Sequence, residues 1–211
     1  MEFPLVVAAF FAFFVVAAAA HHFDTKRRKA AWALVAQNTG LSFRGDLLQG
    51  VIDDITLTVR IVSRGTGKSR QDYTILLMNL LGDLPNGLLI QPEGVLDKVA
   101  KLIGSQDVQL GLPEIDPRLM VKASNQDEAR NWATRANVTR GLTKLVTLRN
   151  YTFKLAANQL SFERRGAMDN AAELEALIRD LVAVVTDLSE SQAYLDSSVA
   201  AGGESDDVNL W

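Results

Sequence analysis

Twenty-one consecutive residues, Phe3 to Phe23, carry no charged side chain, and Lys26, Arg27, Arg28 and Lys29 follow almost at once. As a helix such a run extends about 31 Å at 1.5 Å per residue, enough for the hydrocarbon core of a bilayer. The cations stand behind the run, and Lys and Arg are retained on the cytoplasmic side. The expectation is a single-pass anchor with its N-terminus outside and the rest of the chain in the cytoplasm. A cleaved signal peptide is the rival, with Ala17 to Ala20 offering a small-residue cleavage site. Against it, Glu2 stands where a signal peptide carries positive charge, and four cations after the site oppose translocation.

One face of the run suits helix docking. In lipid, association rests on close packing of small residues and on shape, and Ala8, Phe11, Ala12, Phe14, Val15 and Ala18 supply both small and groove-filling positions. His21 and His22 follow Ala17 and Ala18 at four-residue spacing, which resembles the pigment-ligating helices of bacterial light-harvesting proteins over five residues. Histidines at the polar boundary are the simpler reading, and no cofactor is expected.

Of 211 residues, about 170 remain beyond the anchor, enough for one domain with a real core. The chain has no Cys, so disulfides and a thiolate nucleophile are excluded. Its only two His lie at the anchor's end, so no Ser–His pair or His-based metal cluster is available to the domain. The net charge of −3 is unevenly spread: residues 118–165 carry ten Lys/Arg against three Asp/Glu, and residues 166–211 carry one against ten. Self-neutralisation, anionic headgroups or a partner protein would each satisfy such blocks.

Asp24 to Asn38 lacks Gly and Pro, so the anchor helix is expected to continue to Thr39-Gly40 and to hold the domain off the bilayer, with Trp32 packed on the domain. Leu41 to Arg44 reads as extended. Leu47–Ile52 and Ile55–Ser63 flank an Asp53-Asp54 turn, and Ile55, Leu57, Val59 and Ile61 alternate with more polar residues. Tyr73–Leu80 and Gly87–Gln91 read as further strands. Val95, Leu96, Val99, Leu102 and Ile103 recur at helical spacing before Gly104. A short strand, Leu119–Lys122, precedes a helix capped by Ser124 with Asp127, then a helix over Val138–Leu148 with Gly141 as its weak point. A hairpin, Tyr151–Leu155 and Gln159–Glu163, turns at Ala157-Asn158. Asp169 or Asn170 caps a long helix to about Leu195, and the Gly/Ser/acidic stretch 197–211 reads as a disordered tail. The organisation is therefore residues 1–40 as anchor and juxtamembrane helix, 41–196 as the domain and 197–211 as the tail. The class is α+β, a mostly antiparallel sheet with helices on one face.

Gly65-Thr66-Gly67-Lys68-Ser69 looks like the end of a phosphate-binding loop, but Val62 stands where the leading Gly belongs and a strand follows. Asp53-Asp54 falls in a turn, and Asp107, Glu114 and Asp116 in a loop without metal-ligand spacing, so catalytic and metal residues are not expected. Leu174, Leu177, Leu181, Val184, Leu188, Ser191 and Leu195 form a heptad-like seam. Ile178, Val182 and Val185 broaden it toward packing on the sheet. Arg130, Arg135, Arg140, Lys144 and Arg149 gather on the helix pair with little aromatic interleaving. Nucleic acid is thus not expected, whereas lipid or an acidic partner is a candidate for them.

The stretch Gly87 to Glu163 resembles a group of uncharacterised bacterial membrane-anchored proteins. The likeness rests on Asp116-Pro117-Arg118-Leu119-Met120-Val121-Lys122, then Asp127-Glu128-Ala129-Arg130, then an extended segment after Leu148. Leu119 stands where an aromatic residue is usual. The resemblance implies a cytoplasmic α+β domain tethered to the bacterial inner membrane and supplies no activity. The resulting expectation is a non-enzymatic, single-pass accessory or scaffold subunit bracing a larger membrane complex, photosynthetic or respiratory for example. The alternative is a tethered module binding anionic lipid or a small anionic ligand through residues 118–165.

Overall fold

The computed structural model describes residue 23 and residues 25–94, 106–148 and 151–189. A helix, α1 (residues 25–39), leads into β1 (Ser42–Arg44), β2 (Leu47–Ile52), β3 (Ile55–Arg64), β4 (Gln71–Asn79), β5 (Leu89–Pro92), β6 (Gln106–Asp107) and β7 (Leu119–Ala123). The chain continues through α2 (Gln126–Ala133), α3 (Ala136–Thr147), β8 (Tyr151–Ala156), β9 (Gln159–Arg165) and α4 (Ala171–Ser189). Among the described residues the nine strands form one sheet in the order β1-β2-β3-β4-β9-β8-β5-β7-β6. Neighbouring strands in it pair antiparallel. The α+β class and its antiparallel sheet are as expected.

Residues opposite one another in a ladder share a face, and successive residues alternate. One register row joins Phe43, Leu48, Val59, Leu76, Phe162 and Phe153. A second joins Leu57, Met78, Leu160, Leu155, Ile90 and Val121. These rows form the buried floor of the core, and Leu48, Leu57, Val59, Leu76, Ile90, Leu155 and Leu160 have no solvent exposure. Residues from α1 to α4 join the same hydrophobic cluster, among them Trp32, Trp132, Leu142 and Leu181. Leu174, Leu177, Ile178, Leu181, Val182, Val184, Val185 and Leu188 are all buried, so the seam of α4 faces its own domain. On the other face the row Arg44, Leu47, Arg60, Ile75, Glu163, Thr152 is largely polar.

Two hairpins turn where they were expected. Asp53 and Asp54 have φ of 49° and 64°, Ala157 and Asn158 of 50° and 57°. Two residues with positive φ match the twist of the flanking strands. Asn158 also staples its neighbourhood, since Leu84 N–H donates to its Oδ1 at 2.9 Å and its Nδ2 donates to Asp83 Oδ1.

Several local expectations are corrected. The cap of α2 is Asn125, whose Oδ1 accepts from the amides of Asp127 and Glu128 at 3.1 and 3.2 Å. Ser124 is tied instead to the β4–β5 loop, its N–H donating to Asn86 O. Of the two caps expected for α4, Asn170 is the one present, its Oδ1 accepting from Glu173 N–H. The short strand β6 at the sheet edge, two residues long, has too little alternation to be visible in sequence. Gly67–Ser69 is a single 3-10 turn running into β4, so no helix N-terminus stands there to receive phosphate.

No helix among the described residues is long and apolar enough to cross a membrane. The expected anchor residues Ala8, Phe11, Ala12, Phe14, Val15, Ala18, His21 and His22 lie outside those residues. So do the helix expected over 95–103, Arg149, and everything from residue 190 onward, including the acidic tail.

Candidate membrane-facing site

Helix α1 is built into the domain rather than standing clear of it. Trp32 and Val35, one turn apart, are 1% and 0% exposed. The Trp32 indole N–H donates to Met168 O at 2.8 Å, and its ring lies 6.1 Å from that of Phe43. Gly40, with φ of 75°, ends the helix in the left-handed conformation that glycine adopts without a steric cost. The expected packing of Trp32 on the domain is present.

The basic quartet straddles the junction. Arg28 turns inward, 17% exposed, with Nη2 3.1 Å from Asp46 Oδ1 in the β1–β2 turn. Its Nε is buried and has no hydrogen-bond partner among the described residues. Arg27 Nε lies 3.3 Å from Asp169 Oδ2, just before α4. Lys26 and Lys29 are exposed. At the other end of the helix, Asn38 Nδ2 donates to Glu175 Oε2 at 2.8 Å. Helix α1 therefore starts beside the β1–β2 turn and runs away from it, and β1 runs back.

Of the five cations singled out on the helix pair, the four that are described, Arg130, Arg135, Arg140 and Lys144, have different surroundings. Arg140 Nε donates to Asp187 Oδ1 and Lys144 Nζ to Asp187 Oδ2, each at 2.9 Å, joining α3 to α4. Burial works to raise the Asp187 carboxyl, but the hydrogen bonds from Arg140 and Lys144 outweigh it and hold it below the ordinary carboxylate range. Gly141, between the two cations, is what lets the helices meet: a Cβ there would stand 3.1 Å from Asp187 Cβ and 3.2 Å from Leu188 Cδ2. The weak point read from sequence is a contact point. Arg130 is occupied elsewhere, with Nε donating to Gln109 O and Nη1 3.7 Å from Asp127. Arg135 precedes α3 and is exposed.

The loop carboxylates have local partners. Asp116 accepts from the amides of Leu110, Gly111 and Leu112 at 3.0, 2.9 and 3.1 Å, and Asp107 lies 3.8 Å from Lys122. An open cleft of about 650 Å³ runs past Asp107, Asp116 and Arg130, so those acids shape its wall while bound to backbone and to Lys122. Among the described residues no group of three or more His, Cys, Asp or Glu is placed to hold a metal ion.

The cations that sequence reading missed lie at strand ends. Arg44 ends β1, Arg64 ends β3, Arg70 immediately precedes β4 and Arg165 ends β9. The antiparallel order brings all four to one end of the sheet, the end where α1 begins. Each stands beside a turn or loop, which is a legible signal, but only the strand order shows that the turns coincide. Arg64 forks onto Glu163, with Nη1–Oε1 at 2.7 Å and Nη2–Oε2 at 2.6 Å, and lies 4.8 Å over the Tyr73 ring. The Glu163 hydrogen bonds are the main cause that raises the Arg64 pKa.

No protein-family model, curated protein or solved structure matches the chain.

Proposed function

We propose that this chain is a non-enzymatic, single-pass membrane accessory subunit whose apolar N-terminal helix docks on a larger bacterial membrane complex while the α+β domain braces it from the cytoplasmic side. One observation carries the reading: the helix directly behind the apolar run, which carries the four cations in its first turns, is a core element of the domain, fixed by Trp32 and by two ion pairs. A flexible linker would isolate the domain from events in the bilayer. A helix with one face packed into the core through Trp32 and Val35 transmits position and force instead, which suits a brace.

Gentle detergent extraction followed by mass spectrometry of co-purifying chains tests the assembly role. A stoichiometric set of membrane proteins that disappears on replacing the Ala8/Ala12 face with Leu is the expected result. Purification of the chain alone under conditions that keep known complexes intact would refute it. Protease added to intact cells should leave the domain whole, because the reading places it inside.

A further inference from the structure

The domain is polarised along its strands. At the end where α1 begins, Lys26, Lys29, Arg44, Arg60, Arg70 and Arg165 take no carboxylate partner among the described residues. Three acids at that end are paired with cations, Asp46 with Arg28, Asp169 with Arg27 and Glu163 with Arg64. Asp72, which accepts from the Ser63 hydroxyl, and the exposed Glu93 past β5 keep their charge and are outnumbered by those six cations. At the opposite end the turns carry Asp53, Asp54 and Asp83, all exposed. The two ends thus have opposite sign.

We infer that the arginine-bearing strand ends are the surface with which the domain rests on an anionic bilayer, so that the sheet stands with its Asp-bearing turns pointing away from the membrane. The inference rests on the tethered reading above and adds the lipid chemistry that orients the domain. Three observations converge on it. The segment expected to emerge from the membrane enters the domain at this end and at no other. Helix α1 lies on the core face of the sheet, while Arg44, Arg60 and Arg64 share the opposite face. Cations therefore stand on both sides of the same edge, as a planar surface requires. Anionic headgroups attract cations near the surface and repel the carboxylates at the far end, so both ends favour the same pose. The basic residues of α2 and α3 serve this poorly, because Arg140 and Lys144 are committed to Asp187.

The chain contains no Cys, so one introduced cysteine gives one label. The full chain would be reconstituted with a fluorophore at Thr66→Cys, in the β3–β4 turn of the basic end, or at Leu81→Cys, beyond β4 at the other end. A headgroup-attached quencher would report proximity in phosphatidylcholine alone and in phosphatidylcholine mixed with phosphatidylglycerol. Stronger quenching at position 66 than at 81 is expected in the mixed vesicles only, fading as salt is raised. The triple variant Arg44→Gln, Arg60→Gln, Arg70→Gln should abolish the difference, each lost cation shifting the docked-to-undocked ratio about fivefold. Arg135→Gln should leave it unchanged. Equal quenching at both positions, the same quenching in both lipids, or an unaltered triple variant with an intact melting profile overturns the inference. Alkaline carbonate reads the tether separately: a chain released from the vesicles sinks the anchored reading itself, whereas a retained chain with equally quenched labels sinks only the orientation.

Discussion

The indole N–H of Trp32 donates to the carbonyl of Met168 at 2.8 Å, a bond that closes 136 residues of chain and joins α1 to the segment leading into α4. Both residues are buried, at 1% and 2% exposure. The carbonyl at position 168 therefore has no solvent to turn to if the donor is removed.

Trp32→Phe keeps most of the ring but leaves that carbonyl unpaired. It should cost about 1–3 kcal/mol, the penalty for an unsatisfied buried acceptor. Trp32→Ala adds a cavity and should cost about 3–5 kcal/mol. Urea unfolding of the detergent-solubilised chain measures both. A Phe variant as stable as the parent would mean the hydrogen bond contributes nothing.

Asp187 makes stability depend on acid. Its folded pKa lies below the ordinary Asp value of 3.8, so its contribution is fully present above that value and is lost as pH falls toward the folded pKa. Melting midpoints of the parent should therefore drop below about pH 3.8 more steeply than those of Asp187→Asn, which has no charge to lose there. Parallel curves for the two proteins would remove the clamp from the account.

Gly141→Val should destabilise by about 1–3 kcal/mol, the usual cost of forcing extra methyl groups into a packed contact. The Cβ position already stands 3.1 Å from Asp187 and 3.2 Å from Leu188, and the added methyls press further on that junction. Helix propensity alone predicts the reverse sign, since Gly is among the poorest helix formers. The direction of the change in denaturation midpoint decides between packing and propensity.

Ala157 holds φ of 50° in an exposed turn, a conformation that L-residues enter at a cost of about 1–2 kcal/mol. Ala157→Gly relieves the strain and frees the unfolded chain slightly, for a net gain of about 0.5–1 kcal/mol. A lower denaturation midpoint in this variant would contradict the turn geometry.

Much of the fold was legible because its determinants are local. Ile55, Leu57 and Val59 alternate with Thr56, Thr58 and Arg60, and β3 follows from that alone. The Asp-Asp and Ala-Asn turns were visible between apolar runs, and the α4 stripe was broad enough to indicate packing on a sheet. The α2 cap was displaced by one residue because Ser124 N–H goes to Asn86 O, a bond across 38 positions that no local pattern contains. Strand β6 was invisible at two residues. Sequence left three readings open for the basic block, and the pairs of Arg140 and Lys144 with Asp187 and of Arg164 with Glu173 realise self-neutralisation at those residues. Charge density along a chain does not show which acid, here more than forty residues away for Arg140 and Lys144, each cation meets.

What the sequence by itself determined is what short-range physics controls: which stretches alternate with period two, which repeat with helical period, where the chain turns, and the apolar run with its basic flank. Tertiary structure alone decided which turns meet. Antiparallel pairing placed Arg44, Arg64, Arg70 and Arg165 at one end of the sheet and Asp53, Asp54 and Asp83 at the other. It also buried Trp32 against Met168, so that α1 became part of the core. Electrostatic fields and burial depend on distance in space, and strand order sets that distance.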